Sequence, residues 1–279
     1  MTIPDDLDRM VSTDEVGLMT ARHGGYVLRS AFQLVYRTRR DRTLEPVAAE
    51  GFLRPFRGGR PTAPRPYLDG LAAEDRLVAE RLGMALHAAN HRHIGVEGLD
   101  HVIAVGTDRA LRESLAALLS DPDIVPSRIV CSIRPILPSG IEASRLVEGE
   151  ARQRGARVAI GGLEEGPPAL EAVRELKPDI VRIEGAWFRR VSENTGAVRL
   201  LGRLLDGLKD EGAAVLVEGI ETPRHLATAL DAGADLVQGF LLSRPELAGM
   251  PTDGAHIRLA DVFAGEAQVI PLFGNGGGR

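Results

Sequence analysis

Short apolar segments alternate with amphipathic segments along most of the chain. The apolar segments with the composition of β-strands are residues 31–37, 48–54, 101–107, 128–134, 157–162, 179–185, 214–220 and 235–241. The later ones are nearly continuous runs of Val, Ile and Leu, which is typical of strands buried on both faces of a parallel sheet. The segments between them carry apolar residues at helical spacing, and several end at Gly or just before Pro, where helices commonly stop.

This alternation predicts an α/β fold, an irregular (β/α)8 TIM-like barrel. Only residues 38–47 separate the first two strands, which is too short for a helical crossover, so these strands are expected to pair antiparallel. We expect an N-terminal segment over 1–24, the barrel over 25–250, and a C-terminal extension over 251–279 whose Gly-rich end is partly flexible. The Gly/Pro-rich stretch 56–66 is expected to be a loop.

Composition narrows the class of protein. The 279 residues carry a formal net charge of -5, and this mild acidity argues against general nucleic-acid binding, which usually requires a basic face. The single cysteine, Cys131, rules out a disulfide within the chain and fits a reducing cytoplasm. The N-terminus is polar, and no apolar run approaches the roughly 20 residues that span a bilayer. We therefore predict a cytoplasmic protein without a membrane or nucleic-acid partner.

Two carboxylates lie inside otherwise apolar strands. Glu50 and Glu218 are costly to bury alone, so each is expected to form a salt bridge, with Arg182 or with Arg54 as the candidate partner. In such barrels the functional site lies at the C-terminal ends of the strands. Other polar residues at those ends are Ser132, Arg134, Glu184, Glu221 and Gln238.

Several motifs resemble the EAL domain family of bacterial cyclic di-GMP phosphodiesterases. VEGIETPRHLATALDAGADLVQGFLLSRP (217–245) resembles the family's AEGVET…QGY…SRP, and DIVRIEGAWF (179–188) resembles D-x-L-K-I-D-x-x-F. AFQLVYR resembles F-Q-P-I-V, and Glu50 matches the Glu of the Glu-Ala-Leu signature, with Gly51 and Phe52 following it. The resemblance covers about residues 28–248 and implies an EAL-type barrel.

The resemblance also implies a site for two Mg²⁺ or Mn²⁺ ions, which require several oxygen ligands. The residues of that site that persist are Glu50, Glu218, Glu221 and Gln238. Arg182 stands in place of the family's Lys. The positions that lose a ligand are Gly106 (Asn in the family), Ser132 (Glu), and Gly161 and Gly162 (an Asp pair). We therefore predict no bound metal, no intact catalytic set, and a chain that is not an enzyme.

The predicted function is that of a catalytically inactive signalling protein that acts through an unidentified protein partner, with the loop at 163–168 as a candidate contact. The alternative is a metal-independent receptor for cyclic di-GMP. The ligand-contacting residues would then be Gln33, Arg54, Arg182 and Gln238. A third reading is a residual phosphodiesterase that uses Mg²⁺ or Mn²⁺. A homodimer stays open, and no residue indicates which process is regulated.

One histidine pair has a spacing that can bind a metal. His87 and His91 lie four residues apart on the helix predicted over 74–93. No nearby Cys or Glu completes a set of ligands, so we predict a solvated helix end instead.

Overall fold

We describe a computed structural model, which places residues 5–134, 141–162 and 167–264. Its strands are β1 (Val11–Thr13), β2 (Met19–His23), β3 (Tyr26–Thr38), β4 (Thr43–Arg57), β5 (Arg60–Pro61), β6 (Asp100–Val105), β7 (Ile129–Ile133), β8 (Arg157–Ile160), β9 (Ile180–Ile183), β10 (Ala214–Val217), β11 (Leu236–Val237), β12 (Glu246–Leu247) and β13 (Ile257–Arg258). Its α-helices are α1 (Asp5–Asp8), α2 (Pro64–Asp69), α3 (Ala73–Asn90), α4 (Arg109–Leu119), α5 (Ile141–Gln153), α6 (Pro167–Leu176), α7 (Gly185–Ser192), α8 (Thr195–Asp210), α9 (Pro223–Asp231) and α10 (Leu259–Ala264).

Eight of the strands close into a barrel, in the order β3-β11-β10-β9-β8-β7-β6-β4, and β4 pairs back with β3. Strand β3 runs antiparallel to both β4 and β11, whereas the other barrel pairs are parallel. The predicted irregular barrel with an antiparallel first pair is therefore confirmed.

The barrel has an inner and an outer apolar core. The inner core is a ring of side chains from the barrel strands: Val35, Ala48, Val102, Val130, Ala159, Leu216 and Leu236. The larger core lies between the outer face of the strands and the surrounding helices. Because each strand is buried on both faces, the continuous Val/Ile/Leu runs of the sequence are accounted for.

Strands β3 and β4 are longer than the rest and extend past the barrel mouth. Here β2 pairs with β3, and one face of the extension is covered by a separate apolar cluster that includes Leu28 of β3 and Leu82 of α3. Residues 56–66, expected to be a loop, instead contain the end of β4, strand β5 and the start of α2. Gly58 and Gly59, with φ of 56° and 77°, make the tight turn of a β4–β5 hairpin, and prolines suit the first turn of α2.

The described parts of both predicted terminal segments add strands to this sheet. Strand β2 pairs with β3, and β13 pairs with β4 near Leu44. The Gly-rich end of the predicted C-terminal extension, residues 265–279, lies outside the described residues. None of the helices within the described ranges is both long enough and apolar enough to cross a membrane.

Candidate functional site

Three charged side chains meet at the barrel mouth: Glu50 of β4, Arg182 of β9 and Glu218, which directly follows β10. The Nη1 and Nη2 atoms of Arg182 donate to Oε1 and Oε2 of Glu50, both over 2.8 Å. Its Nε atom donates to Glu218 Oε1 over 2.6 Å. A bidentate guanidinium–carboxylate pair is among the strongest polar contacts in proteins. The predicted salt bridges are confirmed, and their partner is Arg182 rather than Arg54.

A fourth side chain completes this arrangement, which we call the mouth cluster: Glu50, Ser132, Arg182 and Glu218. Arg182 Nη1 also donates to Ser132 Oγ over 2.6 Å. Four of the five guanidinium N–H groups are thereby engaged. Arg182 therefore has little capacity left for the phosphate contact expected of it.

Burial sets the charge state of the mouth cluster. The side chains of Arg182, Glu50 and Glu218 are only 10%, 7% and 22% exposed. Burial by itself lowers the pKa of Arg182, but the neighbouring charges of Glu50 and Glu218 outweigh it and raise that pKa above its usual value. Burial raises the pKa of Glu218, as does the charge of Glu50, against the lowering effect of Arg182. The guanidinium thus stays charged and offsets one of the two carboxylate charges.

The glycines that replace family ligands differ in how much space they leave. A Cβ on Gly161 would lie 3.5 Å from Arg182 Cβ, an ordinary contact, so this glycine sits directly beside the mouth cluster. Gly162 has a φ of 78°, which favours glycine. A Cβ on Gly106 would lie 2.5 Å from Leu111 Cδ1, so an apolar side chain fills the space that a larger residue would need there.

The residues at the mouth do not fit the pair of divalent cations that the family resemblance implies. A guanidinium is permanently charged and already bonded to both carboxylates, so an incoming cation would have to displace it. Among the described residues, no group of three or more His, Cys, Asp or Glu side chains is arranged to hold a metal ion. We derive no chemical step through a metal, and the absence of a metal cofactor stays a prediction.

The remaining site residues predicted from the sequence differ in their hydrogen-bond partners. Gln33 pairs in register with Glu50, and its Nε2 donates to the backbone oxygen of Ser243 over 2.9 Å. Gln238 is buried, and its Nε2 has no hydrogen-bond partner among the described atoms. Glu221 instead accepts a hydrogen bond from Arg189 of α7 over 2.9 Å and is not among the residues that line the barrel mouth.

A cavity of about 450 Å³ opens above the mouth cluster, and we call it the mouth cavity. Its lining includes all four members of the mouth cluster together with Phe52 of β4 and Arg134, which follows β7. Arg134 forms an ion pair with Glu184. The cavity is therefore walled by β4 on one side and floored by buried charges.

His87 is buried within α3, whereas His91 is half-buried just beyond the end of this helix, so the predicted solvated helix end is wrong for His87. His87 Nδ1 lies 2.9 Å from Ser30 Oγ, and burial lowers the pKa of His87 to about 3. The ring of His91 stacks on His101, with centroids 4.5 Å apart. Helical spacing could not show that α3 packs on the sheet along this face. The sequence reasoning also missed His101, although a histidine at the start of an apolar strand was a signal.

Packing of α3 also explains a departure from the family signature. A Cβ on Gly51 would lie 2.6 Å from His87 Cγ, so the alanine of the signature would clash with the buried histidine. The packing of α3 against β4 therefore explains why this position holds Gly where the family signature has Ala.

The fold and the site define a class of protein: a barrel of eight strands, one of them antiparallel to its neighbours, with buried acidic side chains at its mouth. Within that class, the chain belongs to the EAL domain family, whose sequence model matches residues 75–245. The chain is 27% identical over 108 residues to the probable cyclic di-GMP phosphodiesterase PdeA of Escherichia coli, covering 39% of this chain and 15% of that protein. It is 23% identical over 181 residues to the cyclic di-GMP phosphodiesterase RocR of Pseudomonas aeruginosa, covering 64% and 43%. The chain thus spans less than half the length of these curated relatives.

Solved structures agree on the fold. The Klebsiella pneumoniae BlrP1 complex with calcium and cyclic di-GMP superposes with a TM-score of 0.69 at 19% identity, covering 91% of this chain and 64% of that one. The FimX EAL domain of Pseudomonas aeruginosa, bound to cyclic di-GMP, gives 0.67 at 20% identity, covering 78% and 90%.

These relatives correct one prediction. We expected the chain not to be an enzyme, but the curated proteins that it resembles are named as cyclic di-GMP phosphodiesterases, which contradicts that expectation. The prediction rested on the metal-ligand residues that this chain lacks. The loss of these ligands is a property of the site and is not a measurement of turnover. The protein partner and the homodimer stay predictions, and residues 163–166 of the proposed contact loop lie outside the described residues.

Proposed function

We propose that this chain binds cyclic di-GMP in the mouth cavity and that it does so without a divalent cation. The observation that carries the proposal is the mouth cluster, in which Arg182 places a fixed positive charge between Glu50 and Glu218. This cation offsets one of the two carboxylate charges and so reduces the repulsion that an anionic ligand above them would meet, and we therefore expect binding without a metal. Two similar structures described as complexes with cyclic di-GMP support the choice of ligand.

The mouth cavity and the part of β4 that extends above it offer two kinds of contact that a cyclic dinucleotide requires. Phe52 lines the cavity, and an aromatic ring is a surface on which a guanine base can stack. Arg54 lies two residues further along β4 and, because side chains alternate along a strand, on the same face as Phe52 and Glu50. Within the described part of the chain, Arg54 has no ion pair or hydrogen bond, so its guanidinium is available for a phosphate.

The test is a calorimetric titration with cyclic di-GMP, run once with a chelator and once with excess Mg²⁺. We expect the same dissociation constant, within about twofold, in both conditions. Chromatography of the nucleotides after each titration measures any hydrolysis to the linear dinucleotide, which is the activity for which the curated relatives are named. No heat in either condition, or binding only with Mg²⁺, would overturn the proposal.

Two variants locate the site. Arg54→Gln should weaken binding about tenfold or more, because a hydrogen bond to a charged group is lost. Arg57→Gln is the matched control: it removes the same charge from the same strand, but Arg57 lies on the opposite face, with its guanidinium carbon 5.5 Å from the centroid of the Tyr26 ring. Equal weakening by both variants would show that the binding depends on overall charge and not on this wall.

A further inference from the structure

A second arginine stands directly beside Arg54 on the wall of the barrel mouth. In the antiparallel register of β3 and β4, Gln33 lies opposite Glu50, and Arg29 lies opposite Arg54. Because side chains alternate along each strand, these residues all project from the face that rises above the mouth. The register is regular over this stretch, since its only shift falls at Val35 and Tyr36.

Two like charges at directly opposed positions of a sheet repel each other. Elsewhere in the molecule, arginines commonly meet an acid, as Arg157 meets Asp100 over 2.5 Å. Within the described ranges, neither Arg29 nor Arg54 has a hydrogen bond or a carboxylate partner. Two neighbouring guanidinium groups without acidic partners are stabilised when an anion binds between them.

Arg29 also packs against an aromatic ring beside Arg54 on β4. Its guanidinium carbon lies 4.9 Å from the centroid of the Phe56 ring, so the cation packs against the aromatic face. A cation–π contact is not a conventional hydrogen bond to an oxygen acceptor, so the N–H groups of Arg29 can still donate to a phosphate. Phe56 thus supports Arg29 without using its hydrogen bonds.

We infer that Arg29 is a ligand-contacting residue that, together with Arg54, clamps one phosphodiester group of the bound cyclic dinucleotide. This inference rests on the proposed function and adds a residue outside the quoted family motifs. Each non-bridging phosphate oxygen accepts from one guanidinium, and the negative charge of the phosphodiester relieves the repulsion between the two cations.

The experiment compares wild-type protein with Arg29→Gln and the control Arg57→Gln, titrated with cyclic di-GMP at two salt concentrations. Arg29→Gln should weaken binding about tenfold or more, and the remaining binding should depend less on salt because one charge contact is gone. The thermal midpoint of the ligand-free variant should stay close to that of the wild type, since the repulsion that is removed offsets the lost contact with Phe56. A purely structural arginine would instead lower that midpoint well below that of Arg57→Gln, which loses the equivalent contact with Tyr26.

The outcomes separate this inference from the proposed function. Wild-type binding with an unchanged dissociation constant for Arg29→Gln overturns the clamp and leaves the proposed function standing. A loss of affinity in Arg57→Gln as large as that in Arg29→Gln also overturns the clamp. No binding by the wild-type protein overturns the proposed function, and the clamp falls with it.

Discussion

Replacing Arg182 by alanine tests the central feature of the site, which is the balance of buried charge at the barrel mouth. The change removes the hydrogen bonds to Glu50, Glu218 and Ser132 and leaves two buried carboxylates without a cation. Removal of one partner of a buried ion pair costs about 3–5 kcal/mol. Since Glu218 remains 22% exposed, we expect a value near the lower end.

For a chain of 279 residues, each kcal/mol lowers the thermal midpoint by about 2–4 °C, so Arg182→Ala should unfold about 6–12 °C below the wild type. Urea unfolding followed by circular dichroism gives the matching free energy. Arg190→Ala is the control, because Arg190 is an exposed residue of α7, and it should change stability by no more than about 0.5 kcal/mol.

The pH dependence of this variant provides a second measure. Burial already raises the pKa of Glu218, and loss of Arg182 removes the influence that lowers it. An acid whose pKa is raised in the folded state stabilises the fold below its unfolded pKa, and this contribution is lost as the pH rises through the folded pKa. The deficit of Arg182→Ala relative to wild type should therefore be larger at pH 8 than at pH 5. A midpoint within about 1 °C of wild type, or a deficit no larger than that of Arg190→Ala, would refute the reasoning.

Two further predictions concern the core. Burial lowers the pKa of His87 to about 3 and that of His101 well below the ordinary 6.5. The unfolded chain therefore takes up these protons first, and stability that is complete above pH 6.5 should be lost as the pH falls toward 3, by up to about 1.4 kcal/mol per pH unit for each histidine. Thermal unfolding from pH 7 to 5 checks this: His101→Phe should flatten the dependence, and the exposed His256→Asn should not. For the glycines, urea unfolding should show that Gly161→Ala costs less than about 1 kcal/mol, whereas Gly239→Ala costs several, because its Cβ would lie 2.2 Å from a backbone oxygen. Equal losses for the two glycine variants would contradict the packing argument.

The sequence by itself determined the barrel and the need for a buried cation. Strand and helix periods are local properties of the chain, and the short connection over 38–47 leaves no room for a crossover helix between β3 and β4. The two acids within apolar strands required a partner for the same elementary reason, which is the cost of burying charge. Neither inference needed knowledge of which distant residues meet.

The choice between Arg182 and Arg54 as that partner was made by the tertiary structure. Arg54 lies four residues beyond Glu50 on the same strand, about 13 Å further along it, and therefore stands above the mouth. Barrel closure instead brings β9 and β10 level with β4, and this places Arg182 between Glu50 and Glu218.

Arg29 and His91 show the same limit of sequence reasoning. Arg29 belongs to none of the quoted motifs, and only the register of β3 against β4 places it beside Arg54. His91 lies just beyond the end of α3, where we predicted a solvated helix end, and its ring instead stacks on His101 of β6. Local pattern fixes which elements form, because it depends on neighbours along the chain. Contacts between elements join residues that are far apart in the chain. They depend on strand register and on packing, which are set only in the folded barrel.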